Sequence, residues 1–150
     1  MIQGIEYHQY CNASIGYCID LASNVFTFHS QTEKEALVEC FISKDQQATL
    51  IVRKGGYHHT DKEGVPDLRG FFNALKRNYT PPFSDSTFQL TKASLYKRHC
   101  EFAGFKNDGL LFREICFLKG KHIIGLQIWY PRRQKLLYDK IVQQFIQSFK

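Results

Sequence analysis

Residues 87–130 read as a series of strands cut twice by glycine turns, and that rhythm restricts the chain more than any other feature. Lys106-Asn107-Asp108-Gly109 is a tight-turn string, because Asn, Asp and Gly all tolerate positive φ. Lys119-Gly120-Lys121 is a second one. Between and around them lie four strand-like runs, at residues 88–97, 99–105, 110–118 and 123–130. In the last run Ile124, Leu126, Ile128 and Tyr130 share one face while Gly125 and Gln127 take the other. Consecutive strands joined by turns this short pair antiparallel, so the second half of the chain predicts a meander.

The first half also predicts short strands. Residues 14–21 alternate loosely, with Ile15, Tyr17 and Ile19 on one face, and Ala22-Ser23-Asn24 breaks the run. Val25, Phe26 and Phe28 follow before the polar stretch 30–35. Residues 36–43 and the β-branched run 48–52 flank Lys44-Asp45-Gln46-Gln47, which predicts a hairpin. Residues 54–64 read as a loop. A helix follows, with Pro66 in its first turn, Asp67 at the positive end of the dipole, and Leu68, Phe71, Phe72, Leu75 and Tyr79 on one stripe. Thr80-Pro81-Pro82 ends it. Pro131 separates the meander from a terminal helix over residues 132–149, whose apolar stripe is Tyr138, Ile141, Val142, Phe145 and Phe149. The sum is an α+β domain spanning residues 1–150, with helices covering an antiparallel sheet.

At 150 residues, 43% of them hydrophobic, the chain is long enough for a core without metal or disulfide staples. No apolar run reaches the length of a membrane-spanning helix. Lys and Arg total 20 against 14 acidic residues, a net charge of +6 that suits an acidic partner. Lys76-Arg77, Lys97-Arg98 and Arg132-Arg133 stand apart, and this dispersion argues against a nucleic-acid face. Met1-Ile2-Gln3-Gly4-Ile5-Glu6 has neither a basic nor an apolar leader region. A cytoplasmic protein, or a periplasmic one whose leader has been removed, both fit.

Five cysteines, Cys11, Cys18, Cys40, Cys100 and Cys116, form no CxxC pair, and an odd count leaves at least one thiol free. If residues 107–109 form the loop, Cys100 and Cys116 face each other, and a bridge there would imply an oxidising compartment. Directly opposed strand positions rarely meet disulfide geometry, which favours buried free thiols.

Several strings resemble the PsbP-like superfamily. They are Tyr10-Cys11-Asn12 through Gly16-Tyr17-Cys18-Ile19-Asp20, then Leu21-Ala22-Ser23-Asn24-Val25-Phe26, where Ala22 stands for the usual proline. Phe41-Ile42-Ser43-Lys44-Asp45 with Ala48-Thr49-Leu50-Ile51-Val52 is similar to the family's hairpin, with Gln46 in place of glycine. Leu126-Gln127-Ile128-Trp129-Tyr130-Pro131, followed by Tyr138, Ile141-Val142 and Ser148-Phe149-Lys150, resembles its closing strand and helix. The resemblance implies an α-β-α sandwich used as a binding scaffold, with no shared enzyme centre. Members serve as extrinsic or assembly factors of photosystems and as a nuclear Ran-binding protein, and some immunity proteins that neutralise secreted bacterial toxins look like this fold. Fold alone does not choose among these roles.

Candidate chemistry is sparse. His58-His59 with Asp61 is the densest group of possible ligands, yet adjacent histidines in an extended loop point apart and no second Cys/His group has zinc spacing. Cys11 or Cys18 with a histidine would make a nucleophile pair only if the fold brought them together. Gly55-Gly56 lacks the Lys-Ser/Thr of a phosphate loop. The sequence therefore calls for no metal and no cofactor, and no catalytic residue is assigned. The expected function is non-enzymatic protein binding, foremost as an immunity protein that masks a bacterial toxin with an acidic surface. The alternatives are an exported accessory or assembly factor of an envelope or photosynthetic complex, and a small-ligand enzyme using the His58-His59 loop. The candidate contacts are His58, His59, Asp61 and Lys62 in one loop, Lys106, Asn107 and Asp108 in the tight turn, and Arg132 and Arg133 at the sheet-to-helix corner.

Overall fold

Gly109 and Gly120 take φ of 88° and 58°, the left-handed conformations that the two predicted turns require. A computed structural model describes residues 4–32, 37–54, 67–80 and 87–150. In it the meander is β6 (Phe88–Leu95), β7 (His99–Lys106), β8 (Leu110–Lys119) and β9 (His122–Pro131). Three earlier strands, β3 (Phe26–Thr32), β4 (Leu37–Ser43) and β5 (Thr49–Lys54), complete the sheet. Its seven strands lie in the order β3-β4-β5-β9-β8-β7-β6, every neighbour antiparallel. The Lys44-to-Gln47 turn forms as expected, and Gln46 holds φ of 61°.

One expectation fails at the start of the chain. Residues 14–21 are not one strand: β1 (Tyr7–Asn12) and β2 (Tyr17–Ala22) form a separate two-stranded hairpin. The Asn12 side chain accepts from the Ile15 amide at 3.0 Å, the Gly16 amide donates to the Asn12 carbonyl at 2.7 Å, and Gly16 has φ of 93°. That turn uses residues whose alternation imitates a strand.

Two helices take opposite faces. Helix α1 (Leu68–Asn78) lays Leu68, Phe71, Phe72 and Leu75 against Phe102, Phe112, Ile123 and Trp129. Helix α2 (Lys135–Ser148), entered through a 3-10 turn at Arg132–Gln134, packs its predicted stripe with β2 onto Phe41, Leu50, Val52, Leu126 and Ile128. Gly104 shows how tightly the α1 face closes. A Cβ there would lie 2.4 Å from the Gln89 carbonyl oxygen and 2.8 Å from the Phe88 ring. The terminus ties in as well, since Cys18 and Lys150 exchange two backbone hydrogen bonds of 3.0 Å. The result is an α-β-α sandwich, the architecture that the strings above implied. No helix is long and apolar enough to cross a membrane among the described residues.

Candidate functional site

The sheet brings five of the predicted contact residues to one end. Strand β8 begins beside the end of β9, with Leu110 opposite Pro131, so the 106–109 turn meets the corner after β9. The Arg132 amide donates to the Gly109 carbonyl at 3.1 Å, and the Leu110 amide donates to Asp108 Oδ1 at 3.2 Å. Arg132 lies over the Phe105 ring at 5.3 Å and Lys106 Nζ over the Trp129 ring at 5.0 Å. Cations held on aromatic faces keep their charge at the surface while their stems are ordered.

A third turn joins this end. Arg133 donates to Gln47 Oε1, and Gln134 Nε2 donates to Asp45 Oδ2 at 3.2 Å, so the β4–β5 turn is stitched to the corner. The Asp45 carboxyl is held below its ordinary range, first by the Ser43 hydroxyl that donates to it, with the Arg133 charge among the smaller causes. Among the described residues, Lys106, Arg132 and Arg133 form no salt bridge. Asn107, Asp108, Arg132 and Arg133 are exposed and Lys106 is half-buried. Arg132 and Arg133 do not open the terminal helix as expected. They occupy the 3-10 turn, and Lys135, the first residue of α2, pairs with Asp139 at 2.6 Å. His58, His59, Asp61 and Lys62 lie outside the described residues.

Two buried carboxyl clusters escaped the sequence reading. Glu39 in β4 is fully buried and accepts from the Tyr10 hydroxyl, the Tyr17 hydroxyl and Asn12 Nδ2, the last at 2.8 Å. All three donors come from the β1–β2 hairpin, so this carboxylate fastens the hairpin to the sheet. Burial first, then the hydrogen bond to Glu39, pushes both tyrosines well above their ordinary range. On the other face Tyr79 donates to Glu114 Oε1 at 2.7 Å. Burial raises Glu114, and the Tyr79 hydrogen bond and the Arg53 charge pull the other way. Only a wider alternation count would have flagged Glu39, a lone acid at an inward position of an apolar strand.

The cysteines need one correction. Cys11 and Cys18 are not available as thiols beside a histidine: they form a disulfide across the hairpin, Cα atoms 4.1 Å apart. They are directly opposed in register, so the geometric rule against such pairs does not hold here. The Gly16 turn between two cysteines seven residues apart was the available signal. Cys100 and Cys116 do face each other as expected, and both are free and buried. Burial, reinforced by the neighbouring Cys100, raises the Cys116 thiol well above its ordinary value. Such a thiol is inert.

No protein-family profile and no curated protein sequence matches this chain. Among solved structures it is similar to the cyanobacterial PsbP protein (CyanoP) of Synechocystis sp. PCC 6803. The likeness has a TM-score of 0.67 at 9% identity and covers 99% of this chain and 94% of that one. Identity this low speaks to the fold.

Proposed function

We propose that the chain is a non-catalytic protein-binding domain that engages an acidic surface through the sheet end formed by Lys106, Asn107, Asp108, Arg132 and Arg133. The observation that carries this reading is the placement of three cations at one end of the sheet, Lys106 over Trp129 on the α1 side and Arg132 over Phe105 on the α2 side, none of them in a salt bridge among the described residues. Three turns hydrogen-bonded to one another support them. An overall charge of +6 steers acidic partners toward the molecule, and guanidinium groups ordered beforehand lose little freedom on contact. Arginine suits the task because its planar donors match a carboxylate in two-point contact. Within this class the specific role we favour is masking of a secreted bacterial toxin, where occlusion of an acidic surface is itself the activity.

A second reading, an exported accessory or assembly factor, is favoured by the Cys11–Cys18 disulfide, since such bonds persist in oxidising compartments. Both roles use the same surface. Co-expression with the product of the adjacent gene tests the proposal. The expected result is a complex that salt weakens and that Arg132→Gln/Arg133→Gln weakens about ten-fold, roughly 1.4 kcal/mol. A chain that stays partnerless defeats the toxin-masking role. A complex indifferent to both salt and the double substitution defeats the basic-end contact.

A further inference from the structure

We infer that a groove opening off the basic end, between the first turns of α2 and strands β6–β8, receives an extended acidic segment of the partner, with Arg113 as the residue that reads its carboxylates. This rests on the protein-binding reading above and gives that surface a specific ligand.

The groove has a volume of about 280 Å³. Its floor follows from strand register. Lys92, Ala103 and Arg113 are cross-strand neighbours in β6, β7 and β8 and point to the same face of the sheet. Ala103, the smallest of the three, leaves the centre of the row low. Leu111 gives an apolar wall, and Lys135 and Asp139 of α2 form the opposite rim. Three cations therefore line the groove against one carboxylate. Lys92 is also held by Glu101 at 2.8 Å, and Lys135 by Asp139 at 2.6 Å.

Arg113 has the loosest carboxylate contact of the three, although its guanidinium also meets the Tyr130 hydroxyl. Its contact with Asp139 is a loose 3.7 Å, whereas Asp139 is gripped closely by Lys135. Its Nε is buried and meets no acceptor among the described residues. A buried donor without an acceptor is rare in native proteins and calls for an explanation. A carboxylate arriving in the groove supplies one once the guanidinium turns toward it, because it can take two guanidinium hydrogens at once. The groove is also continuous with the proposed contact surface. Leu111 is the cross-strand neighbour of Phe105, the ring on which Arg132 rests. A partner strand with acids at alternate positions could place one side chain on Arg113 and the next near Arg132.

The probe is an acetylated, amidated eight-residue peptide of alternating Glu and Ala, titrated into the full chain and followed by amide and arginine Nε–H resonances. The expected result is movement of the Ala103, Leu111 and Arg113 signals, including Arg113 Nε–H. Ala103→Leu, which fills the floor without changing charge, and Arg113→Lys, which keeps charge but loses the planar fork, should each weaken binding at least ten-fold. Their own amide spectra establish that they are folded, and either variant alone suffices. Shifts confined to residues 106–108 and 132–133, with Ala103→Leu or Arg113→Lys binding like the parent, overturn the groove and leave the basic-end reading intact. Groove shifts in a chain that forms no protein complex retain the groove and overturn that reading. No shift anywhere at about millimolar peptide, the weak limit of useful recognition, overturns the groove outright.

Discussion

Tyr17→Phe is a demanding test of how this scaffold is held together, because it deletes one oxygen and nothing else. The Tyr17 side chain is 2% exposed and its hydroxyl donates to Glu39, which is 0% exposed. Water cannot reach the vacated position without opening the hairpin. A hydrogen bond to a charged group contributes about 1.5–3 kcal/mol. In a chain of 150 residues each kcal/mol moves the melting temperature by about 2–4 °C, so the variant should melt roughly 3–12 °C lower. Glu39→Gln keeps the shape but converts the hydroxyl bonds to neutral ones, and it should cost a similar amount. The two changes share an interaction, so the double variant should be less damaged than the sum of the singles, with a coupling of about 1 kcal/mol or more. The assay is urea denaturation of all four proteins with a common slope. Tyr17→Phe within about 0.5 kcal/mol of the parent, or strict additivity with Glu39→Gln, would refute the claim that this carboxylate fastens the hairpin.

The same burial predicts alkaline unfolding. Tyr17 and Tyr79 are raised well above 10 and Tyr130 to about 12, so their contribution is intact below pH 10 and lost as pH climbs through the raised values. By pH 12 each costs on the order of 2 kcal/mol, and three together are comparable to a typical total stability. Circular dichroism and tyrosinate absorbance should therefore change together between pH 10 and 12, whereas a smooth tyrosine titration in a folded chain would contradict this. Gly104→Ala should destabilise by about 1–3 kcal/mol in the same urea assay, because the new methyl meets the Gln89 carbonyl; a neutral result would mean β6 yields freely. Cys11→Ser/Cys18→Ser releases a constraint spanning a sequence separation of 7 and should cost roughly 2 kcal/mol, with no change expected if the hairpin is held by Glu39 alone. Gln46→Gly relieves a left-handed backbone and should raise stability by about 0.5 kcal/mol net of the entropy glycine adds to the unfolded chain, against a loss if the side chain itself matters.

What was legible in the sequence was what local chemistry decides. Asn107, Asp108 and Gly109 specify a turn wherever they fall, and that turn fixes the Cys100–Cys116 register and hence the meander. The stripes of α1 and α2 were equally plain, because each helix buries one face. The β1–β2 hairpin was not, since Ile15 is buried within a turn and so completes a false strand alternation. Glu39 was illegible for a different reason: its three donors lie 22 to 29 residues earlier in the chain, and nothing local says that two tyrosines will meet an acid. The basic end sits between these cases. Arg132 and Arg133 looked misplaced at a helix start, and the structure places them in a 3-10 turn against two other turns. Arg113 carried no signal of its own, because a surface-like arginine in a strand is ordinary until its neighbours are known.

The central claim is that the molecule acts by presenting the end of its sheet to an acidic protein. Hydrogen exchange on the complex with the adjacent gene's product, compared with the free chain, tests it most directly. The account predicts slowed exchange at residues 106–110 and 131–135, with 103–113 following if the groove is filled. Protection confined to β3 at the far edge, with those segments exchanging as in the free chain, would contradict it.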